Sequence, residues 1–143
     1  MKDTNLGIFE LLSNDDTLLL MLASNAPYHN PNGVTSKANS IVPSDVANRK
    51  METPFITIQE GNENKIGHVL SQSIFIRCYN DIRKSYITIN EVLDRVRVLL
   101  DGVDLTLTDR RHVKTYFESR LPGLVEEAME LKFKEARYRV TVL

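Results

Sequence analysis

The run VLSQSIFIRCYN, residues 69 to 80, alternates apolar and polar side chains with the period of two that is typical of a half-buried β-strand. One face carries Leu70, Gln72, Ile74, Ile76 and Cys78, and the opposite face carries Val69, Ser71, Ser73, Phe75, Arg77 and Tyr79. The first face is the predicted core face. The second holds two large aromatic groups, Phe75 and Tyr79, which a small monomer would hardly leave exposed together, and this favours a partner on that side.

A second strand pattern comes just before this run. The β-branched and aromatic residues FITI, at positions 55 to 58, follow Pro54, and proline is tolerated at the first position of a strand. Residues 54 to 60 are therefore a predicted strand, and GNEN, residues 61 to 64, is a predicted turn. The two strands should pair as a hairpin.

A helix is predicted after the hairpin. Thr88 and Glu91 have the spacing of a capping box, in which the two side chains satisfy free N–H groups of the first turn. An apolar stripe with helical period follows, made of Ile89, Val92, Leu93, Val96, Leu99 and Leu100. Gly102 closes the helix. The opposite side carries mixed charges, as on a solvated or subunit-facing surface: Glu91, Asp94, Arg95, Arg97 and Asp101.

The N-terminal segment predicts two short helices or one kinked helix. Its apolar positions are Leu6, Phe9 and Leu12 before the SNDD break at residues 13 to 16, and Leu18, Leu19 and Leu22 after it. Ser13 or Asn14 is the expected N-cap of the second piece, and the aspartates that follow favour its positive end.

Residues 24 to 53 form a connector rich in proline, asparagine and serine, in which no packed element is expected. A connector of this length is either a simple surface insertion or an arm that becomes ordered on assembly. On the second interpretation the arm is mobile in the isolated subunit and faces a partner, because ordering so polar a segment costs entropy that few apolar contacts offset.

The last third is predicted to be rich in strands. Residues 103 to 107 alternate as one half-buried strand, and residues 112 to 118 form another. The buried face of the latter is carried either by Val113 and Thr115 or by Tyr116 and Phe117. Residues 121 to 123, LPG, break the pattern, and residues 124 to 128 are open between helix and loop.

The apolar phase changes within the final strand pattern. Leu131 and Phe133 lie on odd positions, whereas the apolar residues that follow lie on even ones, namely Ala136, Tyr138, Val140 and Val142. A strand cannot keep one face buried through such a change without an irregularity, so a bulge or break is predicted near Lys134 and Glu135.

Length and composition favour a single domain, residues 1 to 143, since the chain is 42% hydrophobic and 26% charged. The predicted fold is α+β, with a mostly antiparallel sheet, two main helices packed on one face and a long mobile loop at residues 24 to 53. Residues 1 to 9 lack the pattern of a signal peptide, and no run reaches the roughly 18 apolar residues of a membrane span, so a cytosolic protein without a membrane partner is expected.

No set of residues predicts chemistry. The three histidines, His29, His68 and His112, are far apart and lack metal ligands at suitable spacing. The single cysteine, Cys78, lies in an apolar alternation, which predicts a buried thiol rather than a nucleophile. We therefore expect no enzyme activity, no cofactor, no metal and no small-molecule substrate.

Basic residues are concentrated at the C-terminal end, where they form either a solvated face or a surface that meets DNA or an acidic partner. The candidate interface or channel-facing residues, taken with the second face of the first strand, are Phe75, Arg77, Tyr79, Arg110, Arg111, Lys132, Lys134, Arg137 and Arg139.

Four segments together resemble the tail terminator and tail completion proteins of long-tailed bacteriophages, which join the tail tube to the head. They are IFELL at residues 8 to 12, TPFITI at 53 to 58, SIFIRCY at 73 to 79 and the helix at 89 to 100. The likeness spans most of residues 6 to 107. The long connector and the long C-terminal strand region depart from the family pattern.

The resemblance implies an α+β subunit of a six-fold ring that ends the tail tube and joins it to the head. Its implied partners are further copies of itself, the tail tube protein and head-completion or connector proteins, with DNA passing through the channel. It implies assembly in the host cytoplasm, a place in the virion and no catalytic residues. The alternatives are another neck or connector component, or a small module that binds nucleic acid or protein through the basic C-terminal third.

Overall fold

The computed structural model describes residues 2–22, 28–29, 35–36, 40–44, 52–107 and 112–142. Within these ranges the helices are α1 (Lys2–Ser13), α2 (Asp16–Met21), α3 (Ile87–Leu100) and a 3₁₀ helix (Glu127–Met129). The strands are β1 (Tyr28–His29), β2 (Thr35–Ser36), β3 (Ile41–Pro43), β4 (Phe55–Ile66), β5 (Val69–Asp81), β6 (Val103–Thr106), β7 (His112–Arg120), β8 (Leu124–Glu126) and β9 (Leu131–Val142).

Among the described residues, the main sheet has seven strands in the order β3-β4-β5-β9-β7-β6, with β8 paired to β9. The pairings recorded there are antiparallel except that of β3 with β4. Helices α1, α2 and α3 pack on one side of it, and the predicted α+β fold is confirmed. No helix in the described ranges is long and apolar enough to span a membrane.

The main hydrophobic core lies between the helices and the sheet. We call the helix-covered side of the sheet the inner face. It is lined chiefly by aliphatic groups, and its completely buried members include Ile56, Ile74, Ile76, Cys78, Ala136, Tyr138 and Val140. The predicted core face of β5 is thereby confirmed for Ile74, Ile76 and Cys78.

Two separate N-terminal helices form, which is one of the two predicted arrangements, but the residue that caps α2 differs from the prediction. Asp15 is the N-cap, and its carboxylate accepts the N–H of Leu18 at 2.9 Å. Ser13 and Asn14 instead donate side-chain hydrogen bonds to the carbonyl of Glu10, at 3.3 and 2.7 Å, and so finish α1.

The connector contains a packed strand, contrary to the sequence-based expectation. Its residues 41 to 43 form β3, which adds in parallel to the edge of β4, and Ile41 is 1% exposed in the main core. β-branched residues at positions 41 and 42 explain the pairing despite the polar surroundings. β1 and β2 pair antiparallel. The predicted mobility of the connector concerns mainly residues outside the described ranges and stays a prediction.

The predicted hairpin forms from β4 and β5, but its turn lies further along the chain. β4 continues through residues 61 to 64, where the register shifts between Glu60 and Glu63, and the chain reverses at Gly67-His68. Gly67 has a φ of 61°, a value that glycine adopts without strain. The GNEN segment is therefore a bulge in the strand, because its glycine is used for close packing rather than for reversal.

The apolar stripe of α3 is buried as predicted, with Ile89, Val92, Leu93, Val96 and Leu100 inaccessible to solvent. The capping box is not formed. The helix begins one residue before Thr88, and its N-cap is Tyr86, whose side chain makes no capping bond; the N–H of Ile87 donates to Ser85 Oγ at 3.4 Å. Gly102 follows the helix with a φ of 72°, as expected for a glycine C-terminal to a helix.

β9 runs without a break from Leu131 to Val142, so the irregularity predicted near Lys134 and Glu135 is wrong for its pairing with β5. The change of apolar phase has another cause. Residues 136, 138 and 140 point into the main core, whereas Leu131 and Phe133 point to the opposite face, where a second small cluster buries them. Both sides of this strand are buried, each over part of its length.

β7 and β8 follow each other along the same edge of β9, separated by the LPG break that the sequence predicts. In β7, Val113 and Thr115 are buried and Tyr116 is exposed, which decides between the two possible faces. The segment after the break, left open between helix and loop, is a short strand and a 3₁₀ turn.

Candidate functional site

The side of the sheet that faces away from the helices is the candidate functional surface, and we call it the outer face. On β5 and β9 it is formed by the odd-numbered residues, which lie opposite one another in register: Tyr79 with Phe133, Arg77 with Glu135, Phe75 with Arg137, and Ser73 with Arg139. The face is thus built of cross-strand rows, which are the units that stabilise a sheet surface.

The first row is aromatic and is covered by the chain itself. Phe55 and Tyr79 stack with ring centroids 5.0 Å apart, and Tyr79 and Phe133 lie 4.9 Å apart. With Leu131 they form the second core cluster, against which Val42 and Met129 pack. Tyr79 is only 4% exposed, so the predicted exposed pair of aromatic residues is wrong for Tyr79.

The second and third rows share one buried carboxylate. Glu135, whose side chain is 5% exposed, accepts from Arg77 Nε through Oε1 and from Arg137 Nε through Oε2, both at 2.9 Å. The two guanidinium groups also cover aromatic rings. Arg77 lies 4.6 Å from the Phe133 centroid, and Arg137 lies 5.2 Å from the Phe75 centroid.

Phe75 is half-buried, and its ring lies close to Gly61 in the β4 bulge. A Cβ at Gly61 would stand 2.8 Å from Phe75 Cε2, so only glycine leaves room for the ring. Beside this ring is an open groove of about 300 Å³, lined by Gln59, Phe75, Arg77, Leu121, Leu124, Phe133, Glu135 and Arg137. Leu124 at its rim is 50% exposed.

Charge pairs continue toward the other end of the outer face. Arg139 Nε donates to Glu118 Oε1 at 2.8 Å, between side chains that are 42% and 38% exposed. Tyr116, 43% exposed, stands opposite Arg139 in the register of β7 and β9. Lys114 stands opposite Asp104 in the register of β6 and β7.

The predicted basic residues do not form one surface. Lys132 and Lys134 point to the inner side, where their ammonium groups lie 4.4 and 5.1 Å from the centroid of the Tyr86 ring. Lys134 also donates to Asn90 Oδ1 at 2.8 Å. Arg110 and Arg111 lie outside the described residues. The outer face therefore brings together five residues of the predicted set: Phe75, Arg77, Tyr79, Arg137 and Arg139, of which Tyr79 is buried.

Sequence reasoning missed Glu135, which organises the centre of the outer face. The sequence did indicate part of this arrangement, because Glu135 and Arg137 are two residues apart in one strand and therefore lie on the same face. Its pairing with Arg77 depends on the register between two strands that are far apart in sequence, and that register was not predictable.

The helix side carries a second charged surface. The carboxylate of Asp15 receives Arg95 Nε at 2.9 Å and Arg95 Nη2 at 2.7 Å, which ties α2 to α3. This bidentate bond, together with the backbone N–H of Leu18, holds the pKa of Asp15 below its usual value against the opposing effect of burial. On the outward side of α3, Ile87 is 65% exposed and Val98 is 68% exposed.

The groups that could carry chemistry are dispersed. Cys78 is completely buried, and burial raises the pKa of its thiol well above the usual range, which disfavours a thiolate. His68 is exposed in the hairpin turn, and His112 Nδ1 lies 3.2 Å from the hydroxyl of Thr106 at the sheet edge. Across the described ranges, no group of three or more His, Cys, Asp or Glu residues is placed to hold a metal ion.

Comparison with known proteins gives a likeness of fold. No protein-family model and no curated protein matches the chain. A solved structure does: a chain of the "Virion of native gene transfer agent (GTA) particle", with a TM-score of 0.67 and 15% sequence identity. The match covers 99% of this chain and 95% of the other. At this identity the likeness shows a shared fold.

Proposed function

We propose that this chain is a structural, non-enzymatic component of a phage-like virion, a ring subunit that ends the tail tube and joins the tail to the head. The observation that carries the proposal is the fold shared over nearly the full length of both chains with a protein of a gene transfer agent virion. The sequence resemblance to tail terminator and tail completion proteins supports the same role.

The geometry of the outer face fits a protein-binding surface. It is a sheet face of half-exposed aromatic, apolar and arginine side chains around a groove, and arginine and aromatic residues are enriched at protein interfaces. On this proposal the partners are further copies of the chain, the tail tube protein and a head-completion protein, and DNA passes through the ring.

The alternative of a nucleic-acid-binding module has less support. Arg77, Arg137 and Arg139 are each engaged with a carboxylate, and Lys132 and Lys134 lie on the other side of the sheet. The outer face thus holds these three arginines together with the carboxylates of Glu135 and Glu118, which leaves less net positive charge than a phosphate-binding surface normally presents.

The test is genetic depletion of the chain in the cell that encodes it, followed by electron microscopy of the particles. We expect heads and tails that accumulate without joining, and joined particles once the wild-type chain is supplied. Joined particles in normal number without the chain would contradict a role at the head–tail junction.

Three substitutions test the non-enzymatic part of the proposal. His29→Ala, His112→Ala and Cys78→Ser remove the residues most able to support catalysis, and each variant should fold and restore particle joining. A folded variant that assembles correctly but does not restore function would reveal chemistry and overturn this part.

A further inference from the structure

One side of α3 is exposed and has an ordered pattern. Ile87, Glu91, Asp94 and Val98 are spaced by four, three and four residues, so they form a single stripe opposite the buried one. All four are exposed. The stripe has apolar ends and an acidic centre, and it extends about 16 Å at 1.5 Å per helical residue. We call it the α3 stripe.

The carboxylates of the α3 stripe are available to a partner. Glu91 has no hydrogen bond or ion pair with any described residue, whereas Asp94 accepts one bond from Arg120 Nη1 at 2.8 Å and stays 69% exposed. Other acidic side chains on the helix layer, Glu10 and Asp16, are also exposed.

The outer face presents basic side chains flanked by apolar and aromatic ones. Leu124 is opposite Phe133 at one end, Arg137 and Arg139 follow along β9, and Tyr116 is opposite Arg139 at the other end. From the Leu124 row to the Arg139 row is about 20 Å at 3.3 Å per residue of strand. Two partly exposed arginines beside apolar and aromatic groups are therefore complementary in charge to the two carboxylates and apolar ends of the α3 stripe.

The two arginines have donors to spare. Among the described residues, Arg137 and Arg139 each hydrogen-bond only through Nε, to Glu135 and Glu118 respectively. A guanidinium has five N–H donors, and its outward pair fits a carboxylate. Glu135 lies buried beneath Arg77 and Arg137, so the charge that Arg137 presents to a partner is positive.

Resting on the proposed function, we infer that the α3 stripe of one subunit binds the outer face of the next, with Glu91 and Asp94 against Arg137 and Arg139. The two surfaces lie on opposite sides of the same sheet, so the contact joins unlike surfaces and runs head to tail. Contacts of this kind leave no subunit unpaired when they close into a ring.

The test is a charge exchange in the particle system. Arg139→Glu alters only the outer face, and Glu91→Lys alters only the α3 stripe. Each alone places like charges at every contact, and we expect about a tenfold or greater loss of joined particles, because like charges across an interface repel. Matched controls are Lys65→Glu and Glu60→Lys, at exposed positions outside both surfaces, which should restore joining fully.

The decisive arm is the mixture of the two variants. In alternating copies, the outer face of the Arg139→Glu chain would meet the helix of the Glu91→Lys chain, so that opposite charges face each other again. At the next contact a native arginine would meet a native glutamate. Co-expression of the two chains should therefore return joining toward the wild-type level, and a single chain carrying both substitutions should also recover.

Two results would overturn the inference. One is full joining by either single variant, and the other is failure of the mixture and of the double variant when circular dichroism shows that all are folded. Arg137→Gln removes a guanidinium without reversing the charge, and it should give an intermediate loss of joined particles. This milder variant tests the same contact if a charge-reversal variant does not fold. If depletion of the wild-type chain leaves joining intact, the proposed function itself fails, which is a separate outcome.

Discussion

The inner and outer faces of this sheet are made from alternate residues of the same strands, yet they are built in different ways. The inner face of β5 and β9 is mainly aliphatic at its centre, where Ile74, Ile76, Ala136 and Val140 are completely buried in the main core with the helices. The outer face has one buried aromatic row, then arginines shared by a buried glutamate, then exposed charge pairs. The inner face therefore supplies stability, while the outer face leaves part of its apolar and charged surface exposed.

The largest expected effect comes from a charge on the inner face. Ile76→Asp would bury an unpaired carboxylate in the main core, at a cost of several kcal/mol, comparable with the roughly 5 to 15 kcal/mol of a whole domain. We expect no soluble folded protein, and the same for Val96→Asp on α3. Ser73→Asp, on the outer face of the same strand, is the control and should fold. Soluble yield and circular dichroism measure both, and a cooperatively folding Ile76→Asp protein would contradict the account.

Substitutions in the aromatic row of the outer face should lower the free energy of unfolding by a smaller but measurable amount. Tyr79→Ala removes the ring that lies between Phe55 and Phe133 and leaves a cavity, so we expect the free energy of unfolding to fall by about 3 kcal/mol. Tyr79→Phe keeps the ring and loses only the 3.2 Å bond from Arg77 Nη1, for about 1 kcal/mol or less. Urea unfolding measures both; equal effects of the two substitutions would show that the ring packing is unimportant.

Removal of the buried charge beneath the arginines should have a smaller effect. Glu135→Gln leaves Arg77 and Arg137 with a weaker acceptor, and we expect a loss of about 1 to 2 kcal/mol, reduced by the partial exposure of both arginines. Glu118→Gln breaks an exposed pair and should change the free energy of unfolding by about 0.5 kcal/mol or less. Comparable losses in the two variants would contradict a central role for Glu135.

The link between α2 and α3 should be visible in the pH dependence. The pKa of Asp15 is lower in the folded protein than in the unfolded chain, so its contribution is present above about pH 4 and is lost as the pH falls through the folded pKa. Asp15→Asn keeps an N-capping oxygen but loses the charge that pairs with Arg95, so it should cost about 1 kcal/mol or less at neutral pH and should weaken the acid dependence. Asp16→Asn is the control. Thermal melts from pH 3 to pH 7 measure the pH dependence of the melting temperature. The same pH dependence in wild type and Asp15→Asn would contradict the link.

The smallest effect is expected at Tyr138, an aromatic residue of the inner face. Its hydroxyl is buried without a hydrogen-bond partner among the described residues. Tyr138→Phe should therefore leave the free energy of unfolding unchanged or raise it by up to about 1 kcal/mol. Tyr116→Phe, on the exposed outer face, should have no effect. A clear loss of stability in Tyr138→Phe would mean that the hydroxyl has a hydrogen-bond partner, and would contradict this prediction.

Local patterns predicted the elements well where one face is buried. The alternation in β5 and the stripe in α3 are direct consequences of burial on one side, so they could be read from residue spacing. The phase change in β9 could not be read in this way, because two clusters on opposite faces bury different parts of one strand. Long-range packing also explains the misplaced turn, since Gly61 makes room for Phe75 on the neighbouring strand.

The candidate surface was only partly predictable for the same reason. The parity of Phe75 and Arg77 placed them together on the second face of β5, and this held. The coverage of Tyr79 by Phe55 and Phe133, and the separation of Lys132 and Lys134 from Arg137, depend on strand order and register. Neither follows from local sequence.

The location and copy number of the chain in the particle test most directly the proposal that it is a ring subunit at the head–tail junction. Particles purified with a tagged copy of the chain should show, by electron microscopy and mass measurement, several copies in a closed ring between head and tail, with six expected from the family resemblance. A single copy per particle, or the tag at any other place, would contradict it.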